Sequence, residues 1–587
     1  MMSSTRTVVS VLGAVCLFGS LTLYTPVSHA ATPTPQQLDQ IQREQNQIIQ
    51  DEQQRQKELL KEQDQRRRPP GTVDLGIGKE GPLKGKSEQC FTIKTIELDG
   101  ARSLSPKERH KLVQPFVGKC IGLVEIRELM RVITNYYIDK GYVTTRVYIP
   151  QQDMSTGTLK LLVVEGITEK FRLQDKKSRV NLGTAFPGLE GKVLNIRDIE
   201  QGLDQINRLQ SNNATMQLLP GQTPGKSLIL IKNQARKPWS GGVTLDNYGS
   251  RTTGKARGTV NLGWDNPLGL NDYWFMSLSS NTNPDRYDRL SESALLNFNI
   301  PYGYWNFTGS YSQSDYANLI DSLTQTFRSN GKLYTTNLGV QRVISRGQTY
   351  KTTLSAGLTH KDSRNYIEGS LLTTSSRKLT ALNVDLITVF SALGGSWTVD
   401  GGVTHGVDWF GVQELPGAGQ GTVPTAKYWK YNASASYARP FKLRGLNASW
   451  SSSLQGQYSR DYLFGSEQIA VGGLYTVRGY DGTSVSGDRG IYWRNDVAVT
   501  LSHLRTPGLA KWVGALQPYV ALDAGHIYKR PGQQSGTMVG AAVGLRNVGG
   551  KVSFDFACGV PVHYSSGVST TSDVKNYAVY LKMGISI

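Results

Sequence analysis

The C-terminal end of this chain alternates without a break. Tyr577, Val579, Leu581, Met583, Ile585 and Ile587 take every second position, and Asn576, Ala578, Tyr580, Lys582, Gly584 and Ser586 sit between them. A period of two sends one set to each face of a strand. Short half-apolar strands of this kind fill residues 239–587. An apolar outer face and a polar inner face suit a sheet in lipid, which must close on itself so that no backbone group is left unpaired. The pattern predicts a transmembrane β-barrel in a bacterial outer membrane. Sixteen strand-like segments begin near residues 239, 256, 272, 291, 305, 331, 349, 378, 394, 427, 446, 489, 515, 535, 551 and 576. An even number lets an antiparallel barrel start and finish on one side.

The first residues agree with export. Arg6, an apolar run from Val8 to about Leu23, Pro26 and the small-residue site Ser28-His29-Ala30 read as a signal peptide over residues 1–30. Gly13 and Gly19 interrupt a run already short for a membrane helix. No later stretch offers about 18 continuous apolar residues, so spanning falls to strands. The net charge of +19 is scattered over strands and loops with no nucleic-acid-binding fold around it. A basic lumen, or attraction to anionic lipid and partners, accounts for it; no nucleic-acid partner is expected.

Residues 31–65 are polar, with 12 Gln between Gln36 and Gln65. Propensity favours a helix, and Leu38, Ile41, Ile48, Ile49, Leu59 and Leu60 are too few for a core face. Such a helix runs about 45 Å, enough to cross a barrel. It suits a watery lumen, and composition alone leaves a solvated tail equally open. The Arg66-Arg67-Arg68-Pro69-Pro70 run and the Gly-rich stretch after it read as a linker over residues 66–89.

Two soluble units follow, over residues 90–166 and 167–234. In the first, a strand from Phe91 to Leu98 breaks phase near Thr95, and Ser105-Pro106 opens a short helix to about Val113. A longer helix carries Leu123, Ile126, Leu129, Met130, Ile133 and Tyr137 on one face and stops at Gly141. Strands at Val143–Ile149 and Thr158–Glu165 complete a β-α-α-β-β order. The second unit repeats it: a strand at Ile167–Leu173, a short helix near Leu182, a helix capped by Asn195 with Ile196, Ile199, Leu203, Ile206 and Leu209 on its face, and a hairpin across 220–225. Small β-rich units of this kind offer edges to which another chain can add a strand.

Cys16 leaves with the signal, and Cys558 shares an outward face with Val552, Phe554, Phe556 and Val560. In an oxidising compartment Cys90 and Cys120 are expected to pair, worth about 3 kcal/mol for so long a loop. Two free buried thiols are the alternative.

Two motifs imitate enzymes and fail. Gly221-Gln-Thr-Pro-Gly225-Lys226-Ser227 is one residue short of a phosphate-binding loop, and a strand follows it where a helix should begin. Gly482-Thr-Ser484-Val-Ser486-Gly487 misses a nucleophile elbow by one residue. The seven His are dispersed. No enzyme activity, cofactor or metal is expected.

A long gap at 459–488 contains Val477-Arg478-Gly479-Tyr480, just before the fifth strand from the end. With the signal, the polar helix, the repeated units and sixteen strands, the chain resembles the Omp85 superfamily, and within it the outer-membrane transporters of two-partner secretion (TpsB). The cysteine pair is similar to that of the haemolysin-activator branch, which is CdiB-like. The resemblance implies two periplasmic POTRA domains that capture the N-terminal secretion domain of an unfolded exoprotein, either a haemolysin or a contact-dependent inhibition toxin. It implies a helix that plugs the pore and a long loop folded into the lumen, its Val477, Arg478, Gly479 and Tyr480 tip against Asp523. Outer-membrane lipid and the barrel assembly machinery are the other implied partners, and the chain is expected to be monomeric.

The alternation independently turns Gln517, Asp523 and Gly525 inward, with Leu516, Val520, Leu522 and Ala524 outward. It likewise turns Tyr492, Arg494 and Asp496 inward. An Arg fork matches a carboxylate. In an open lumen the pair is expected to contribute about 0–1 kcal/mol, more where water is excluded. The chain departs from the family at Ala521, where an aromatic is frequent, and at Ile587, where barrels often end in an aromatic residue. The rival within the superfamily is an outer-membrane insertase, against which the N-terminal helix and the two units argue.

Overall fold

The computed structural model describes residues 34–66, 81, 85, 87, 89–175, 178–321, 326–501, 507–569 and 574–586. The signal segment and most of the linker lie outside the described residues. The polar stretch forms one helix, α1 (Pro35–Arg66).

The first unit contains β1 (Thr95–Asp99), α2 (Pro106–Val113), α3 (Leu123–Asp139), β2 (Arg146–Tyr148) and β3 (Thr158–Val164). Its sheet order is β1-β3-β2, parallel then antiparallel. Ser105 caps α2 through a reciprocal exchange with Glu108. The α3 positions Ile126, Leu129, Ile133 and Tyr137 recur at helical spacing and bury against Leu159, Leu161 and Val163.

Two expectations fail here. Leu123 is 59% exposed: as the first helical residue its side chain leans back toward the helix N-terminus, away from the turns that bury Ile126 and Leu129. The strand expected from Val143 starts only at Arg146. Val143 packs instead in the core of the second unit with Leu194 and Ile196. The chain there is held across the junction, where the Ile196 N–H donates to Gly141 O at 2.9 Å and Asn195 Nδ2 donates to Lys140 O at 3.1 Å.

The second unit contains β4 (Ile167–Leu173), α4 (Leu182–Ala185), α5 (Ile196–Asn207), β5 (Ala214–Pro220) and β6 (Lys226–Asn233), with sheet order β4-β6-β5. Leu209 lies past the end of α5 and packs on Tyr273, Phe275 and Leu295 of the barrel. The outer side of α5 also meets barrel turns. Tyr304 Oη donates to Asp198 at 2.6 Å, and Arg346 Nη1 donates to Asp204 at 2.5 Å.

Sixteen antiparallel strands close the barrel: β7 (Trp239–Asp246), β8 (Arg257–Asp265), β9 (Tyr273–Asn281), β10 (Arg289–Tyr302), β11 (Trp305–Asp321), β12 (Thr326–Arg346), β13 (Tyr350–Ile367), β14 (Arg377–Ala392), β15 (Gly395–Val407), β16 (Trp429–Leu443), β17 (Leu446–Ser459), β18 (Gly490–Thr500), β19 (Ala515–Ile527), β20 (Gly536–Val548), β21 (Val552–Tyr564) and β22 (Ala578–Ser586). The strand expected at 331 begins at Thr326, because β11 and β12 stay paired up to Asp321↔Thr326. Closure joins β22 to β7 from Lys582↔Asp246 to Ser586↔Gly242. Val579, Leu581, Met583 and Ile585 are exposed on the lipid side, while Ala578 and Tyr580 are buried on the inner side. Cys558 lies between exposed Phe556 and Val560, flanked by inward Ala557 and Gly559.

Candidate functional site

The lumen is filled by two pieces of the same chain. Helix α1 runs along the bore. Near its N-terminus Gln45 Nε2 donates to Ser329 Oγ at 3.0 Å and Gln45 Oε1 accepts from Ser375 Oγ at 2.8 Å. Midway, Gln56 Nε2 donates to Ser314 Oγ at 3.2 Å, and Arg55 bonds Ser293. Toward the periplasm Lys582 Nζ reaches Glu62 at 3.4 Å. The Gln-rich composition thus matches a wall of hydroxyls and amides. The few apolar residues do more than expected from their number. Ile41 buries against Ile320, Phe327 and Ile367, and Leu59 and Leu60 meet the Leu209 cluster.

The second piece is the tip of the 459–488 loop. Arg478 Nε donates to Asp523 Oδ2 at 2.6 Å and Nη2 to Oδ1 at 2.7 Å, a two-pronged pair. The Arg478 backbone N–H donates to the same carboxylate at 3.1 Å. Asp496 takes Nη1 at 2.7 Å, and Asn495 O accepts from Nη2 at 3.3 Å. The side chains of Arg478 and Asp523 are 4% and 0% exposed. The open-lumen expectation for this pair is therefore replaced by a buried one. Loss of one partner from such a pair costs about 3–5 kcal/mol, because a charge is left without its counterpart.

Val477 and Tyr480 are buried as well, with Val471, Val485 and Ile527. Tyr480 Oη sits 2.7 Å from His563 O and 2.9 Å from Val539 O, beside the register shift between β20 and β21. Ala521 and Tyr519 both face inward with Ala542 and Tyr580, and the Tyr519 ring lies over Gly544 with its hydroxyl donating to Asp555 at 2.9 Å.

Sequence reasoning turned Asp496 inward without pairing it, and missed the seat beneath the tip. Gly479 has φ +101°, and a Cβ on Gly540 would stand 1.8 Å from Arg478 O. A Cβ on Gly559 would stand 2.8 Å from Gly479 N. Two inward glycines on neighbouring strands let backbone lie on backbone, and Gly at such strand positions was the available signal.

The anchors at the loop ends were missed too. Glu467 is bound by Lys361 at 2.5 Å and Lys430 at 2.7 Å, and Asp488 by Arg530 at 2.6 Å. The helix touches this loop: Gln50 Nε2 donates to Gly465 O at 2.5 Å and Gln47 Nε2 to Gly482 O at 3.4 Å.

In the first unit Cys90 and Cys120 are bridged, with Cα atoms 5.3 Å apart, where Thr92 pairs with Cys120. The start of α3 is fixed by Glu125, whose Oε2 accepts from Ser87 Oγ at 2.6 Å and from the Gly122 N–H at 3.0 Å. These bonds, the Ser87 hydroxyl first, hold its carboxyl down at about 2.

A closed barrel with two β-α-α-β-β units before it and a loop folded onto its inner wall defines the class: outer-membrane transporters that carry POTRA domains. Residues 225–547 match the family described as Haemolysin secretion/activation protein ShlB/FhaC/HecB. Residues 91–166 match the ShlB-type POTRA domain and 167–220 a POTRA domain. The Outer membrane transporter CdiB of Escherichia coli is 36% identical over 545 residues, covering 92% of this chain and 88% of that protein. The Hemolysin transporter protein ShlB of Serratia marcescens is 34% identical, covering 76% of this chain and 78% of its own length. The solved structure of CdiB from Escherichia coli superposes with a TM-score of 0.78 at 35% identity, over 95% of this chain and 100% of that one. The chain belongs to the ShlB/FhaC/HecB family of haemolysin secretion/activation proteins. It is a two-partner secretion transporter of the outer membrane with its POTRA domains in the periplasm.

Proposed function

We propose that this transporter exports an unfolded exoprotein, of the haemolysin or contact-dependent inhibition toxin kind, through the bore that α1 now fills. One observation carries the reading: a polar helix and a loop tip occupy a single closed lumen, the helix bonded to the wall by amide and hydroxyl contacts that water can replace, and the loop by the buried Arg478–Asp523 pair. In this reading residues 1–30 are a removed signal, 66–89 a tether, and α1 a plug that must leave. Arg478, Gly479, Tyr480 and Asp523 form the latch that holds the loop while cargo passes.

The first POTRA domain supplies the capture surface. On it Tyr148, Ile149 and Leu162 are exposed, with Tyr148 on the edge strand β2 directly opposite Leu162 on the central strand β3, and the far edge of β2 is unpaired. An extended segment of the exoprotein's secretion domain adds there as a strand. The barrel assembly machinery inserts the chain, and it works as a monomer without cofactor or catalytic step.

The test is co-expression with a candidate exoprotein from an adjacent reading frame. Wild type should release the cargo to the medium, and Tyr148→Asp with Leu162→Asp should leave it in the periplasm. Depletion should spare unrelated barrels. A general loss of outer-membrane barrels on depletion would overturn export in favour of insertion.

A further inference from the structure

At the extracellular rim the ends of three adjacent strands gather three cations. Arg460 follows β17, Arg489 precedes β18, and Lys529 lies just past β19. Arg489 is held in place: Nε donates to Ser459 O at 2.9 Å, and its guanidinium lies over the Tyr458 ring, 4.8 Å from the centroid. The Tyr528 N–H donates to Arg489 O at 3.0 Å, and Arg530 Nη2 donates to Arg460 O at 2.9 Å. These bonds put Arg460, Arg489 and the 528–530 segment on one stretch of rim.

Neighbouring cations are already matched, Arg530 by Asp488 and Lys427 by Asp408. Among the described residues, no carboxylate stands within ion-pair distance of Arg460, Arg489 or Lys529. Arg460 and Lys529 are exposed and Arg489 half-buried, and the carboxylate in the same segment, Asp461, is turned to the Trp429 N–H at 2.6 Å, so this stretch of rim carries three cations without an ion-pair partner.

Their height is fixed by the strand below them. Trp450 lies low on the outward face of β17, against Tyr437. The ten or so residues from Trp450 to Arg460, at about 3.4 Å each and a tilt of about 40°, climb about 26 Å. That matches an apolar band of about 25 Å. Exposed aromatics mark the upper edge: Trp429, Tyr431, Tyr458 and Tyr528, with Tyr431 and Tyr458 directly opposite. The cations thus stand where the acyl chains of the outer leaflet end and its headgroups begin.

We propose that Arg460, Arg489 and Lys529 bind the phosphate groups of an outer-leaflet glycolipid, with its chains against Tyr431 and Tyr458. Charge selects the headgroup, and the aromatic edge selects a lipid over a soluble anion. The site has a structural consequence. Arg489 follows Asp488, which on the inner side fixes the base of the long loop through Arg530 and Gln533. A lipid bound outside braces that anchor.

The experiment uses the full mature chain in neutral detergent, with bound lipid counted by native mass spectrometry. The probes are bis-phosphorylated lipid A, the same lipid with its phosphates removed, inorganic phosphate, and a soluble poly-aspartate. Wild type should retain lipid A and none of the other three. Removing one cation near a charged lipid surface weakens binding about fivefold, and removing three about a hundredfold. Lys529→Gln, at an exposed position, should show the first effect. The combined Arg460→Gln, Arg489→Gln and Lys529→Gln variant should show the second, while Lys427→Gln should bind as wild type. Equal retention by wild type and Lys529→Gln, equal retention of the dephosphorylated lipid, or equally tight binding of phosphate or poly-aspartate would overturn the proposal.

Discussion

A methyl group added at Gly540 tests whether the loop tip is held by contact with the wall. The new Cβ would sit 1.8 Å from Arg478 O and 3.3 Å from Val477 Cγ1. Carbon and oxygen settle at roughly 3.3–3.6 Å, so the tip must lift by about 1.5 Å. The strand is fixed by pairs on both sides, Asp523↔Gly540 and Gly540↔Pro561, so the loop yields. The two prongs to Asp523, now 2.6 and 2.7 Å, would then open to about 4 Å, past any useful hydrogen bond. Hydrogen bonds to charged groups are worth about 1.5–3 kcal/mol each, and lumen water recovers part of that. A net cost of about 2–4 kcal/mol follows, with tip opening favoured by about 30- to 700-fold.

Hydrogen exchange across residues 472–484 in detergent reads this directly, with heat-modifiable gel migration reporting a closed barrel. Gly540→Ala should exchange faster by that factor while the barrel stays folded. Gly241→Ala is the control, since nothing lies within 3.6 Å of its added carbon. Arg478→Ala should also accelerate exchange, and combining it with Gly540→Ala should add little, because both remove the same contacts. Unchanged exchange in Gly540→Ala, or effects that sum in the double variant, would refute the seat.

Further outcomes follow from the same geometry. A disulfide between Gln45→Cys and Ser329→Cys should block cargo release when oxidised and restore it on reduction; release from the oxidised form would show that α1 need not leave. Replacing Cys90 and Cys120 by Ser should lower the stability of the first POTRA domain by about 3 kcal/mol in urea unfolding, with the barrel unaffected. Glu125 has a carboxyl lowered from 4.5 to about 2, so its contribution is complete above pH 4.5 and vanishes as pH falls through about 2. Glu125→Gln should flatten the acid dependence of first-domain unfolding in that window, and an unchanged profile would count against the cap.

Periodicity settled the barrel because each strand's side chains meet lipid on one face and lumen on the other, and that contrast is written locally. Asp523 and Asp496 were turned inward by the same count, and the Ser105 and Asn195 caps were visible because a cap needs only neighbouring residues. Ile41 was undervalued: a single apolar residue on a polar helix gains a partner only where Ile320 and Phe327 come round the wall. Leu209 likewise completes a helical stripe in sequence yet packs on the barrel.

The chain alone determined strand count, the two repeated units, the cysteine pairing expected of its compartment and the inward turn of Asp523, since each follows from spacing or composition, while the pairing of Arg478 with Asp523 was implied by the family resemblance. Tertiary structure decided that this pair is shut away from water, that Gly540 and Gly559 make its seat, and that α1 lies within the bore. Those depend on surfaces brought together across hundreds of residues, and no local pattern encodes how closely two distant backbones will approach.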